Sequence, residues 1–261
     1  MARDSRTVLS RAARPADFTV AYGDGEDNIV DVRIPAPGAP TPPGLVIMLH
    51  GGFWRQAYDR GHLGPFAEAL ADAGHVVAAP EYARTGGGGG WPATFVDVAA
   101  AVAAVPGLVA ARTDVDQDRV VVCGHSAGGH LALWVAAQDG TDIQAVVALA
   151  AVADLNRAYA LDLDGGAAAA LLGGGPDEVP DRYAYADPLG LVPIGTRLTL
   201  VHGSRDPVVP ADFSIRFAEA ARRAGDDAVL RVLDADHFDV IDPLSPAWPA
   251  VEGAIGEAIL R

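Results

Sequence analysis

The sequence predicts an α/β fold: one domain, residues 1–261, on a mostly parallel, doubly wound sheet of about eight strands with helices on both faces. Three observations predict it. Short β-branched runs alternate with longer helical patterns, the order that joins parallel strands through crossover helices. Residues 45–49 are apolar at every position, as in a strand buried on both faces. The length of 261 residues, half of them hydrophobic and a fifth charged, suits a single unit with a sizeable core.

Residues 18–22 and 29–34 read as the first strands, separated by the turn-rich Gly23-Asp24-Gly25. The proline-rich stretch 35–43 leads into the strand 45–49. A helix over 64–73 ends at Gly74, a residue type common just beyond a helix C-terminus, and 75–79 is the next strand. Thr85 precedes five successive glycines, 86–90, and the entropy of such a segment predicts a mobile loop. An Ala/Val-rich helix over 93–109 is followed by a central strand at 120–123, a helix over 126–138 and a strand at 145–150. Residues 155–188, rich in Gly, Asp and Ala, interrupt the alternation and read as an irregular short lid. The strand 198–202, helix 211–224, strand 228–233 and helix 247–260 complete the chain, and no internal repeat is visible.

Composition narrows the function. No apolar run approaches the ~20 residues that span a bilayer. The N-terminal segment carries arginines with no apolar stretch behind them, unlike a secretory signal, and Asp4 and Asp17 speak against a transit peptide. A frayed soluble terminus and a cytoplasmic location are therefore expected. Cys123 is the single cysteine, which excludes an internal disulfide and a thiolate zinc site; inside an apolar run it reads as a small buried hydrophobe. A net charge of −15 argues against nucleic acid and anionic membranes as partners. All 19 basic residues are arginine, so a P-loop lysine and Schiff-base chemistry are both excluded.

The chemistry-bearing motif is Gly124-His125-Ser126-Ala127-Gly128, a G-x-S-x-G between a strand and a helix. A serine there sits on a sharp turn, so the residues two before and two after must lack bulk. The turn lifts Oγ out and aims a helix N-terminus at the reaction centre. By itself the motif could be a serine N-cap after an ordinary strand. A second motif, His50-Gly51-Gly52-Phe53-Trp54, directly follows the third strand, the position from which such sites draw a second oxyanion donor. Gly52 or Phe53 would supply one N–H of an oxyanion hole and Ala127 the other.

Seven histidines compete for the base. His50 and His125 belong to the two motifs and read as loop supports, while His62, His75 and His130 precede any acid candidate. The expected order is serine, then acid, then histidine, which leaves His202 and His237. His202 ends a strand; His237 lies on a loop beyond the last strand, where a histidine has least reason to serve packing. Asp206 lies just past a strand's C-terminal end, where open α/β sheets place functional loops. Asp234, Asp236 and Asp239 are nearer to His237 in sequence, but adjacency does not confer the needed geometry. Ser126, Asp206 and His237 form the candidate catalytic triad.

These motifs together resemble the α/β-hydrolases across nearly the whole chain, and so imply an α/β-hydrolase fold. H-G-G-F-W is similar to the H-G-G-x-W motif of the kynurenine formamidases (arylformamidases), as is Asp236-His237-Phe238-Asp239-Val240-Ile241. The resemblance implies metal-independent hydrolysis of N-formyl-L-kynurenine to L-kynurenine and formate, in tryptophan breakdown. Phe53, Trp54, Tyr82, Trp91 and Phe238 fall on loops at the sheet's C-terminal edge. They could stack on an aryl substrate or equally cover the rim of the core. Trp134, within the helix after Ser126, reads as core. No cofactor or metal is expected: there is no H-E-x-x-H. The partner is a small-molecule substrate, and the resemblance allows a homodimer. The competing readings are a short-acyl carboxylesterase, a peptidase or lipase (the lipase disfavoured by the short lid), and a non-catalytic scaffold, against which all three triad residues are present.

Overall fold

A computed structural model describes residues 4–38 and 44–260. Eight strands form one sheet: β1 (Phe18–Ala21), β2 (Ile29–Arg33), β3 (Gly44–Leu49), β4 (Val76–Pro80), β5 (Asp116–His125), β6 (Ala145–Leu149), β7 (Arg197–Gly203) and β8 (Ala228–Leu233). Their order is β1-β2-β4-β3-β5-β6-β7-β8. β1–β2 and β2–β4 pair antiparallel, and every other pair is parallel. This is an α/β-hydrolase fold.

The pleat sorts the apolar strands onto two layers. Leu45, Ile47 and Leu49 of β3 point into one core with Val120, Val122, Val146 and Ala148. Val46 and Met48 point into the other with Val121, Cys123 and Val147. The first layer is closed by α2 (Ala93–Ala110), α3 (Ala127–Ala136) and α7 (Asp212–Ala224), the second by α1 (Gly64–Asp72) and α8 (Trp248–Leu260). α7 shows why such helices form. Phe213, Phe217, Ala218 and Ala221 make one buried stripe, Asp212 and Arg222–Arg223 complement the helix dipole, and Gly225 ends it with φ +103°. α3 is buried on every side, as a helix running beneath the sheet's active edge must be.

Several expectations need correction. β5 begins four residues before the expected strand, because the register breaks between Gly44 and Leu45 and lets Asp116 pair as well. The lid region is helical: α4 (Leu155–Ala160), α5 (Ala167–Leu172) and α6 (Pro180–Ala186). Asp187 closes its base by accepting from the Leu155 N–H (3.0 Å) and Asn156 Nδ2 (2.8 Å). The pentaglycine loop is pinned rather than loose. The Gly87 and Gly89 N–H groups both donate to Arg84 O, Gly90 N–H donates to Thr94 Oγ1, and Trp91 N–H reaches Leu171 O in α5.

The N-terminal segment is folded rather than frayed over its described residues; Met1 to Arg3 lie outside them, as do 39–43 of the proline-rich stretch. Ser5–Ser10 form a 3₁₀ turn that buries Val8. Arg11 then makes a bidentate pair with the buried Asp242 (2.5 and 2.9 Å). Sequence periodicity misses this because the anchor is a contact 231 residues away. Finally, α2 is long and apolar enough, by length and composition, to cross a bilayer, with mean hydropathy 1.9 over 18 residues. Its Phe95, Val98, Val102, Val105 and Val109 make a helical stripe packed into the first core layer. Cys123 is fully buried, and burial pushes its thiol well up from the ordinary range.

Candidate active site

Ser126 stands between β5 and α3 with φ +56° and ψ −115°, a conformation costing a non-glycine residue about 1–3 kcal/mol. The surroundings hold it there. Ser126 N–H donates to Leu149 O (2.8 Å), and Ser126 O accepts from the His130 and Val152 N–H groups. The turn is tight enough that a Cβ on Gly124 would lie 2.1 Å from Gly128 O, and one on Gly128 would lie 2.1 Å from Leu49 O. The requirement for small residues on both sides of the serine is thus a backbone-to-backbone approach, which no side chain could relieve.

Next to it, Gly52, Phe53 and Trp54 form a run of left-handed residues with φ +108°, +50° and +58°. Successive residues of this kind can turn backbone N–H groups toward one point, where they favour an anion. Ala127 is the first residue of α3, whose leading N–H groups have no acceptor within the helix. The strained loop is held from behind. Trp54 O accepts from Thr85 N–H (2.7 Å) and Thr85 Oγ1 (2.9 Å), and Gln56 N–H donates to Thr85 O. The Trp54 indole N–H donates to His130 Nδ1 (3.2 Å). His130 Nε2 lies 2.9 Å from Ala186 O and must carry the proton, so Nδ1 is free to accept. Burial lowers the His130 pKa to about 4, which keeps the ring neutral for this role.

Trp54 is therefore not where the sequence reading put it. It is buried at 1% exposure and ties the glycine loop to the helix that carries Ser126. Trp54→Phe keeps an aromatic ring but removes the indole N–H and leaves the His130 acceptor unpaired. It should cost roughly 1–2 kcal/mol in urea unfolding, with about a tenfold fall in turnover as the loop loosens.

Tyr82 is also displaced from the expected substrate contact. It is fully buried, stacks on His50 at 4.2 Å and donates its hydroxyl to His50 O (2.8 Å). His50 in turn lies 2.6 Å from Glu81 Oε1 through Nε2 and 2.8 Å from Gly51 O through Nδ1. Burial alone would raise the Glu81 carboxyl, but the bond and charge from His50, the Arg60 N–H and Arg84 outweigh it and hold it at about 2. The folded value lies below the unfolded one, so this stabilisation is complete above about pH 4.5 and is lost as pH falls toward 2. Glu81→Gln should therefore lower stability by up to roughly 3 kcal/mol at pH 7, a gap that narrows by pH 3 in urea titrations. Trp91 belongs to a separate cavity of about 660 Å³ with Phe95 and Tyr185, away from Ser126. Trp134, as expected, is core at 1% exposure.

His237 and Asp206, 31 residues apart, are brought together with His237 Nδ1 at 2.6 Å from Asp206 Oδ2. The carboxylate can only accept, so Nδ1 carries the proton and the Nε2 lone pair faces away from the acid. Asp206 Oδ1 accepts from the Val208 and Val209 N–H groups at 2.8 Å each. Burial would raise its pKa, but bonds from His202, His237 and these N–H groups hold it well below the usual carboxylate range. His202 is fully buried behind the acid, with Nε2 bonded to Val209 O and Nδ1 to Ser214 Oγ. It braces the Asp206 loop and does not compete for the base. His125 Nε2 bonds to His237 O (2.9 Å) and fixes the histidine loop; burial drives its pKa well down.

Ser126, His237, Gly52, Phe53 and Phe238 line one cavity of about 360 Å³, the size of a small-ligand site. The sequence reading missed much of its wall. Arg6 and Leu9 come from the N-terminal segment, Tyr58 and His62 from the loop before α1, and Asp162 and Leu163 from the turn between α4 and α5. The only sequence signal for the first was the apolar pair Val8-Leu9 in an otherwise polar stretch. Among the described residues, no three His, Cys, Asp or Glu side chains converge to hold a metal ion.

Residues 30–221 match the family model described as BD-FAE. The chain belongs to the BD-FAE family. The match runs from β2 into α7, covering Ser126 and Asp206 and ending before His237. A kynurenine formamidase from Danio rerio is 32% identical to this BD-FAE member over 139 residues, 52% of this chain and 44% of the relative. The esterase LipQ of Mycobacterium tuberculosis (strain ATCC 25618 / H37Rv) is 29% identical over 239 residues, 82% of this chain and 54% of the relative. The chain spans about half the length of these curated relatives. Among solved structures, a truncated carbohydrate esterase from gut microbiota superposes with a TM-score of 0.81 at 20% identity, covering 96% of this chain and 99% of the other. At that identity the likeness is one of fold.

Proposed function

We propose that this BD-FAE family member is a serine hydrolase that acts through an acyl-enzyme and uses no metal, with N-formyl-L-kynurenine as the substrate. The observation that carries the reading is the cavity holding Ser126 beside a histidine whose far nitrogen is bonded to a buried, doubly braced carboxylate. His237 Nε2 takes the proton of Ser126 Oγ as the oxygen attacks the formamide carbonyl, and Asp206 holds the ring in that tautomer. The N–H groups of Ala127 and the Gly52–Phe53 segment bind the oxyanion, each donor supplying about 3–4 kcal/mol. His237 then gives its proton to the departing aryl amine. Water, deprotonated by the same nitrogen, attacks the formyl-serine and releases formate. A formyl group asks little room on the acyl side, so the leaving group supplies most of the contact. Phe53 and Phe238 are the aromatic walls available to it.

A second reading is a carboxylesterase acting on small short-acyl esters. It is favoured by the esterase relative, which aligns over 82% of the chain where the formamidase aligns over 52%. The deciding measurement is kcat/KM for N-formyl-L-kynurenine beside a short p-nitrophenyl ester, with Ser126→Ala as the blank. A formamide preference of orders of magnitude supports the first reading. Turnover of the ester alone replaces it with the second.

A further inference from the structure

We infer that the acid of the triad is shared by two imidazoles: His202, locked by Ser214 of α7, is a positioning residue that holds Asp206 Oδ2 toward His237. The inference rests on the hydrolase reading and extends its machinery by two side chains that do not line the Ser126 cavity.

The hydrogen bonds around His202 leave one arrangement of its protons. His202 and Ser214 are both fully buried, so their polar atoms must find partners within the protein. His202 Nε2 lies 2.9 Å from Val209 O and 3.3 Å from Asp206 Oδ2. Both oxygens are acceptors, so Nε2 carries a proton. Nδ1 lies 2.7 Å from Ser214 Oγ, and that hydroxyl has no other partner among the described residues. The hydroxyl therefore donates to Nδ1, which presents its lone pair. Ser214 thus fixes the plane of the ring and keeps its single N–H facing the acid.

The carboxylate is then held at both oxygens. Oδ1 accepts from the Val208 and Val209 N–H groups at 2.8 Å each. Oδ2 lies 2.6 Å from His237 Nδ1, with the His202 N–H on it as well. The bonds at Oδ1 form a pivot, and His202 stops rotation about it. The ring also binds the carbonyl of Val209, the residue whose own N–H binds Oδ1, so the turn and the carboxylate are fastened together.

His237 has no freedom to follow a displaced acid. Gly203, next to His202, lets the histidine loop approach the end of β7 backbone to backbone: a Cβ there would lie 2.4 Å from Ala235 O. Ser204 N–H donates to Leu233 O and Arg205 N–H to Ala235 O across the same contact. Without the His202 N–H, Asp206 turns while His237 stays, and the bond that orients the base lengthens. A misplacement of about 1 Å costs about 10²-fold.

The test measures p-nitrophenyl acetate turnover, urea unfolding and the far-downfield proton resonance that marks the His237–Asp206 hydrogen bond. His202→Phe keeps a ring and removes the N–H. It should lower kcat about a hundredfold at unchanged KM and move the resonance upfield. Ser214→Ala should lower kcat about tenfold, the size of one lost hydrogen bond, whereas Ser214→Thr, which keeps the hydroxyl, should restore both rate and resonance. A folded His202→Phe enzyme with full kcat would overturn the inference. So would a loss of rate that follows stability while the resonance stays in place. Should His202→Phe not fold, the Ser214 pair decides: equal rates and an unmoved resonance in both would overturn it. A wild type inert toward ester and formamide alike would remove the hydrolase reading, and the resonance would still decide whether His202 positions Asp206.

Discussion

Ser126→Ala is expected to lower kcat by roughly five orders of magnitude while leaving the fold intact. The size follows from what is removed. Without Oγ there is no acyl-enzyme, and the neighbouring histidine has no proton to accept. The remaining donors at Ala127 and the glycine loop can still polarise a carbonyl, so a residual rate above that of water should persist. Stability should change little or rise. The serine occupies a strained turn that sets it in the lining of the cavity, and alanine accepts the same left-handed backbone no worse. Burst kinetics with a p-nitrophenyl ester, together with urea unfolding, measure both quantities. A variant that retained its rate would remove Ser126 from the chemistry and the acyl-enzyme with it.

Asp206→Asn should lower kcat by about 10⁴-fold, and the hydrogen bonds around the acid say why. Oδ1 accepts from two backbone N–H groups, Val208 and Val209, so the amide oxygen of asparagine must take that place. Its NH₂ then occupies the position of Oδ2 and donates toward His237 Nδ1. The ring is forced into the other tautomer, with its proton on Nε2, and cannot accept one from Ser126. Flipping the amide would restore the ring but leave two buried N–H groups without an acceptor, at a cost of about 1–3 kcal/mol each. Steady-state rates and the nitrogen chemical shifts of His237 test this directly. A loss below tenfold would assign the orienting role to another carboxylate.

How much of this was readable in the chain depends on whether the information was local. The alternation of strands and helices, the apolar runs of β3 and β6 and the glycine spacing around Ser126 are short-range patterns, set by pleat, pitch and steric bulk. They are legible residue by residue, and they led to the α/β-hydrolase fold. The order of serine, acid and histidine is topological, and it pointed to Asp206 and His237 because parallel strands bring their C-terminal ends to one edge.

What the sequence could not decide was which side of a wall a residue faces. Trp54, Tyr82 and Phe238 are all loop aromatics beside motif residues; only the packed structure shows that the first two brace the loops from within while the third borders the cavity. The glycine-rich loop looked mobile on entropy, but short-range hydrogen bonds to Arg84 and Thr94 close its turns, and the Trp91 bond to α5, a tertiary contact, fastens it. The N-terminal segment looked frayed for the same reason: Arg11 finds its partner 231 residues later, a distance no local pattern spans. Local patterning in the chain was enough to place the strands and the tight turn at Ser126, and to nominate a serine, an acid and a histidine in that order. The walls of the cavity came only from packing, because they are assembled from segments whose only relation is contact in space.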